Sequence, residues 1–520
     1  MMHERRAIGA ATSLLVIFGI AVRTWHLTAD PMWLDEAYSA YAAGHGFAFL
    51  WRVVPLYESH PPFYYGLLHL WVSAFGDGLR ALRSLGWIAG LATLPVMALA
   101  AEEASRWLGW GDAQRRRLRF AAIGFACLSP AMIEMARQIR PYPIMILAYA
   151  AALALMLRMA RVREAGRPLV GRAFASYFLL LETILWLHNL GPLYALSLTL
   201  ALAITLLGRG QRRGDLVWLA AAHIAVALAY LPGLMILRSQ ATTWTTRTWL
   251  QFKPDIGLLD HIQTLYGVPG WTGLAGLFLA ILGVLALART SKGIRLAAML
   301  LTLALLPVAM AIILSMTIAP VFITRILTPV AAPALLLFAI GAVAPGRYRI
   351  LPLGGAVMLG ASMLGGDIQA RMAGPMQDWY RTVDWLAARF RPGDQIFAYP
   401  NEGKLPLLYA LRDKGLAYPI RAIPTDVPAL EARHGWHPTG TRGVSSLPQA
   451  ELHAIAQEPA TQAVPTIWLL RLGATTYDPG DGFLRELHRG RYIVRSWQHG
   501  PIDIIGLRRL PAKATGGTGR

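Results

Sequence analysis

Apolar residues fall in long blocks along the chain, separated by short stretches rich in arginine. The blocks run over 7–22, 81–101, 119–133, 141–158, 174–190, 192–208, 216–235, 271–288, 296–316, 327–344 and 350–366. A helix needs about 20 apolar residues to cross a hydrocarbon core of about 30 Å, so the pattern predicts eleven spans. One further block, FYYGLLHLWVSAF over 63–75, is short; as a helix it reaches about 20 Å. The loops decide its placement. If 61–76 lies along the outer surface, the loops 102–118, 159–173, 209–215, 289–295 and 345–349, each carrying arginine or lysine, all face the cytoplasm, as short basic loops do. If 61–76 crosses, all of them lie outside. The pattern therefore predicts a surface helix over 61–76, the N-terminus inside and the C-terminus outside. The first block follows His3-Glu4-Arg5-Arg6, and no small-x-small cleavage site comes before Trp25-His26, so it reads as an uncleaved span.

No span follows position 366. WYRTVDWLAARF has helical period, RPGDQIFAYP holds a turn and a short strand, and KLPLLYALRDKG reads as a helix with a glycine stop. TIWLLRL, RYIVRSW and DIIGLRRL read as strands. The expected architecture is an all-α polytopic membrane bundle over 1–366, with about 11 transmembrane helices and outer-surface juxtamembrane helices. A small C-terminal α/β extracytoplasmic domain follows over 367–510. A Pro/Gly-rich loop over 424–447 interrupts that domain, and 511–520 reads as a disordered tail. The sequence has no clear internal repeat.

Composition supports the membrane reading. Of 520 residues 55% are apolar and 15% charged, against about a quarter charged in soluble domains. Soluble, disordered and fibrous classes are excluded. The net charge of +20 lies largely in the loops that orient the bundle, which argues against a nucleic-acid partner. The single cysteine, Cys127, excludes an intramolecular disulfide, a cysteine zinc site and a C-x-x-C pair. Trp244 and Trp249, with Arg247 and Lys253, read as an interface belt.

The candidate chemistry gathers on the outer side. Asp35 and Glu36 follow Trp33 just beyond the first span. They either charge the start of a helix or serve as an acid/base carboxylate with a tuning neighbour. Glu58 and His60 precede Pro61-Pro62, which open the surface helix. Arg137 and Arg140 sit between two spans, where forked guanidiniums suit a phosphate or a lipid head group, or pair with Glu134. His188-Asn189 end the fifth block. Glu182 lies inside it, and an intramembrane carboxylate is either functional or held by a structural hydrogen bond. Arg325 starts a span at the outer face, to meet a phosphate or to snorkel. Glu58, His60 and His188 are residue types that hold divalent ions. No phosphate loop or H-E-x-x-H occurs.

WLDEAYSA, HPPFYYGLLHLWVSAFG with LRALRSLGWIAGL, RQIRPYPIMIL, WLHNLGPLYAL and ITRILTPVAAPALLL, in this order over about 30–345, resemble the bacterial GT-C glycosyltransferases of the protein-mannosyltransferase-like superfamily, which includes the aminoarabinose-transferase and galacturonosyltransferase groups. The segment from MQDWYRTVDWLAARFRPGD resembles the soluble outer domain of many members. The resemblance implies transfer of a sugar from a polyprenyl-phosphate donor to a lipid, glycan or protein acceptor, with inversion, on the periplasmic side of a bacterial inner membrane. It implies Asp35 as the catalytic carboxylate and Glu36 as its partner. His60 matches a position where relatives carry a basic residue near the donor phosphate, Arg140 and Tyr142 match an Arg-x-Tyr element that makes them donor-phosphate candidates, and His188 matches a recurring histidine. Arg137 and Arg325 are further candidates for the phosphate. Some relatives bind a divalent metal, for which Glu58 and His188 are the candidate ligands here. The segment around Glu134 departs from the family by showing no clear second acidic motif.

The chemistry fits the residues. A phosphate leaving group needs charge stabilisation but no acid catalyst, whereas the acceptor hydroxyl needs a base. A transporter or flippase of lipid-linked sugars is the alternative; it predicts repeated halves and broken helices at mid-membrane, where Glu182 would be its residue. An outward-facing polymerase or ligase would share the product class but not the donor. A scaffold would not need Asp35 and Glu36.

Overall fold

The structure is a computed structural model that describes residues 2–58, 60–206, 213–246, 252–267, 270, 273–344, 350–430, 442–443, 447–478 and 480–510. Arg247, Trp249, the 345–349 loop, most of the 209–215 and 424–447 loops, and the 511–520 tail lie outside the described residues, as does the side chain of Trp244. The chain forms two compact units. One joins Met1–Leu27 to Ser59–Ala373; the other joins Thr28–Glu58 to Gly374–Arg520.

The first unit is helical, and each of the eleven apolar blocks is helix over most of its described residues. Among the described residues, six helices are long and apolar enough to cross a membrane, or up to eight if each of two bent pairs counts as one span. These make the chain a multi-pass membrane protein. The other three blocks form helices of 16, 16 and 15 residues, Arg172–Leu187, Gly191–Leu206 and Gly273–Leu287. A 16-residue helix is about 24 Å long, so length and composition alone do not establish eleven spans. The first two are cut short where they meet: His188 leaves the helix with extended backbone, and Gly191 begins the next.

One bent pair positions candidate residues. Asp112–Leu128 and Pro130–Ala136 meet at 59°. Pro130 has no N–H and cannot continue a helix through this point, and Ser129 caps the new helix by accepting from the Met132 amide. The carbonyls left over at the end of the first helix meet a buried cation. Arg23 Nη2 donates to Ala126 O at 2.7 Å and Nη1 to Cys127 O at 3.1 Å, a favourable place for positive charge. Gly86 on Leu79–Trp107 lets the following loop approach, since a Cβ there would stand 2.8 Å from Gln138 O.

The second unit carries a five-stranded sheet: β1 (Gln395–Tyr399), β2 (Ile420–Ala422), β3 (Thr466–Leu472), β4 (Arg491–His499) and β5 (Ile502–Arg509), in the order β2-β1-β3-β5-β4. β1 pairs parallel with β2 and β3, and β5 pairs antiparallel with β3 and β4. All seven residues of β3 are buried, as a central strand covered on both faces requires. Alternate residues feed two cores. Phe397, Ile467, Leu469 and Leu507 pack with Leu452 and Phe483. Ile396, Trp468, Leu470 and Ile504 pack with Trp379, Leu407 and Leu411. The result is helix, sheet, helix. Leu469→Ala is expected to destabilise this unit by about 2–5 kcal/mol, the usual cost of a core truncation; faster hydrogen exchange in β1, β3 and β5 of the full chain would report it, and unchanged exchange would contradict it.

Candidate active site

Five of the expected residues meet in the first unit. The loop after the Pro130–Ala136 helix delivers Arg140, and Pro141 then opens the helix Tyr142–Glu164. Arg140 lies beside the Tyr142 ring, 5.7 Å from its centroid, and Arg325 Nε donates to Tyr142 Oη at 3.3 Å. His188 is fully buried. Its Nδ1 accepts from the Leu190 amide at 3.0 Å, and its Nε2 lies 3.1 Å from His60 Nε2. This hydrogen-bond pattern assigns the His188 proton to Nε2, donating to His60. His60 Nε2 then accepts, and Arg140 Nη2 lies 3.4 Å from the same atom. Two neutral imidazoles thus pack edge to face, and the fixed positive charge of the cluster resides on Arg140 and Arg325.

Arg137 is placed differently. Its Nη2 donates to Trp25 O at 2.8 Å and to His26 O at 2.9 Å, at the end of the first helix. Glu134 interacts electrostatically with Arg325 and Arg137. Glu182 accepts from Trp186 Nε1 at 2.6 Å, the local structural bond that was one of its two readings. Elsewhere in this unit an open apolar groove of about 540 Å³ lies between Gly191–Leu206 and Ser291–Thr317, lined by Leu200, Ile204, Leu301 and Leu305.

The second unit holds Asp35, Glu36 and Glu58. Asp35 and Glu36 lie in the first turn of Leu34–Ala43, and both are buried. Trp33 gives this helix no side-chain cap; Gln377 Oε1 instead accepts from the Leu34 amide at 3.0 Å. Asp35 meets a residue 407 positions away: Arg442 Nη2 donates to its Oδ1 at 2.9 Å. Arg442 Nε donates to Glu402 Oε2 at 2.8 Å, and its Nη1 lies 3.6 Å from Glu58 Oε2. The guanidinium also lies over the Tyr38 ring, 4.8 Å from its centroid. Tyr477 Oη donates to Glu402 Oε1 at 3.1 Å, and Tyr38 Oη donates to Tyr57 Oη at 2.8 Å. Burial alone would lower the Arg442 pKa, but Glu402, then Asp35 and Glu58, outweigh it and raise it well above the ordinary arginine value.

Arg442, Glu402 and Tyr477 were not expected from the sequence. Their signal is weak: a lone arginine in TGTRG, a glutamate after a strand and a tyrosine after another. The metal expectation finds no matching donor set. Among the described residues no group of three or more His, Cys, Asp or Glu side chains is arranged to hold an ion. Glu58 faces Arg442, and His188 faces His60.

No family model matches the sequence, and no curated protein matches it. The likeness is to solved structures. ArnT from Cupriavidus metallidurans in the apo state superposes with a TM-score of 0.60 at 12% identity, covering 96% of this chain and 98% of that one. The same protein bound to undecaprenyl phosphate gives 0.57 at 11%, covering 96% and 97%. An Archaeoglobus fulgidus oligosaccharyltransferase tethered to an acceptor peptide gives 0.51 at 14%, covering 97% and 74%. These are GT-C glycosyltransferases. This chain has the GT-C fold. The likeness covers nearly the whole chain.

Proposed function

We propose that the protein is a membrane glycosyltransferase that moves a sugar from a polyprenyl-phosphate donor to an acceptor hydroxyl. The observation that carries this reading is the cluster in the first unit: Arg140, Arg325, Tyr142, His60 and His188 joined on a GT-C fold. The arginines would take the donor phosphate as forked cations, and the N-terminus of Tyr142–Glu164 adds its dipole. Arg137, at the end of the first helix, would support that loop. A solved structure of the same fold contains undecaprenyl phosphate; the open apolar groove beside Leu200 and Leu305 is the candidate path for a prenyl chain. Eleven spans would put these residues on the periplasmic side of a bacterial inner membrane.

In the reaction the acceptor oxygen attacks the anomeric carbon as the carbon–oxygen bond to phosphate breaks, with inversion. Asp35 accepts the hydroxyl proton, and Glu36 tunes it. Polyprenyl phosphate leaves with its charge held by Arg140 and Arg325. The acceptor is a lipid, glycan or protein hydroxyl.

The test uses purified full-length protein in nanodiscs with a panel of polyprenyl-phosphate sugars. Release of polyprenyl phosphate coupled to acceptor glycosylation is the expected result. Movement of intact donor across vesicles without release would replace this reading with transport.

A further inference from the structure

Three carboxylates in the second unit, Asp35, Glu58 and Glu402, converge on one guanidinium. Their side chains are 11%, 7% and 3% exposed. Buried like charges need a cation among them. Arg442 supplies it with Nη2, Nη1 and Nε directed to Asp35, Glu58 and Glu402 respectively, and arginine cannot shed its charge. We propose that Arg442 is a positioning residue, the resident counter-cation that orients Asp35 for the acceptor, in the role a bound divalent ion would otherwise fill. This rests on the reading of Asp35 as the base.

The geometry fixes Arg442 from behind. Glu402 follows β1, held by Tyr477 after β3, so a chain of contacts runs Tyr477–Glu402–Arg442–Asp35. β1 and β3 are parallel neighbours, with β2 on the other side of β1. Their carboxyl ends therefore mark the point where the strand order changes direction, the place where open α/β sheets bind ligands. Glu402 and Tyr477 occupy that point, and through Arg442 they set the carboxylate of Asp35. The Tyr38 face supports the same guanidinium.

The experiment compares wild type with Arg442→Ala and Arg442→Lys, each checked for folding by its thermal transition. Removing the guanidinium should leave the three carboxylates without this cation among them. Terbium titration, read by emission sensitised through Tyr38, Tyr57 and Tyr477, should show a site at least about tenfold tighter in Arg442→Ala than in wild type, as expected when carboxylate oxygens are released to bind a hard cation. Adding Glu402→Gln should abolish it. In turnover, Arg442→Ala should lower kcat by about tenfold with the donor KM held, guanidinium ion should restore part of it, and Arg442→Lys should fall between, because lysine keeps the charge but loses the fork. Wild-type turnover should survive chelation. Equal terbium binding in wild type and Arg442→Ala, unchanged kcat in both variants, or chelator-sensitive turnover restored by a divalent ion would each overturn the proposal. Absence of transfer with every donor would remove the glycosyltransferase reading, while the terbium comparison still decides the role of Arg442. If Arg442→Ala does not fold, Arg442→Gln, which keeps most of the side chain but removes the charge, carries the same terbium and turnover comparison.

Discussion

Asp35→Asn is expected to lower kcat by about 10²–10⁴, the range for loss of a positioned general base, with the donor KM little changed. Asparagine keeps the size and the helix position but cannot take a proton. The competing account makes Asp35 a favourable charge at the start of Leu34–Ala43, worth about 0.3–1 kcal/mol. That account predicts a small fall in Tm and normal turnover. The surroundings add a second distinction. Asp35 is 8% exposed and bonded to Arg442, so the substitution also removes one arm of an ion pair. A loss of stability alone should be matched by Glu402→Gln, which breaks another arm of the same network and reaches Asp35 only through Arg442, whereas a loss of the base should lower turnover well beyond that variant. Single-turnover release of polyprenyl phosphate from folded protein measures the step directly. Release at the wild-type rate by Asp35→Asn would remove Asp35 from the chemistry.

The sequence exposes the parts of this protein that depend on local pattern. Each apolar block became helix, because a run of apolar residues at membrane length leaves the backbone no other way to satisfy its own hydrogen bonds. β1, β3, β4 and β5 were readable as short runs rich in apolar and β-branched residues. β2 was not: it is three residues, Ile420–Ala422, too short for a period to show. The helices Gln449–Gln457 and Gly482–His488 were missed as well; each buries a few residues against the sheet and has too few turns to declare itself. The site divides along the same line. Tyr142 and Arg140 are neighbours in sequence, and their pairing follows from one loop. His60 and His188 meet across 128 positions, and Asp35 and Arg442 across 407. Such meetings are set by packing, and no spacing rule contains them. Arg137 shows the converse. It shares a loop with Arg140, yet the turn sends its guanidinium to the Trp25 and His26 carbonyls, because the end of the first helix leaves those acceptors without intrahelical donors.

Arg140→Gln is expected to lower kcat/KM for the donor by about 10²–10³, the cost of removing one donor that stabilises charge developing on a leaving group. Glutamine can still hydrogen-bond His60, so the imidazole pair stays in place while the fixed charge is lost. Arg140→Lys keeps a charge without the fork and should fall between. Arg325→Gln should cost less, since Tyr142 Oη already engages its Nε and Arg140 remains. A purely structural role for Arg140 is a real competitor, because the residue is 2% exposed and removing a buried cation from its partners destabilises. The two accounts differ in which substrate they touch. A phosphate ligand predicts weaker inhibition by polyprenyl phosphate and an unchanged acceptor KM; loss of fold predicts a lower Tm and an equal loss for both substrates. The dependence on charge gives a further handle: inhibition by polyprenyl phosphate should weaken with added salt less steeply in Arg140→Gln than in wild type, as the number of ionic contacts falls. Equal inhibition constants and equal salt dependence in the two proteins would take the donor phosphate away from Arg140.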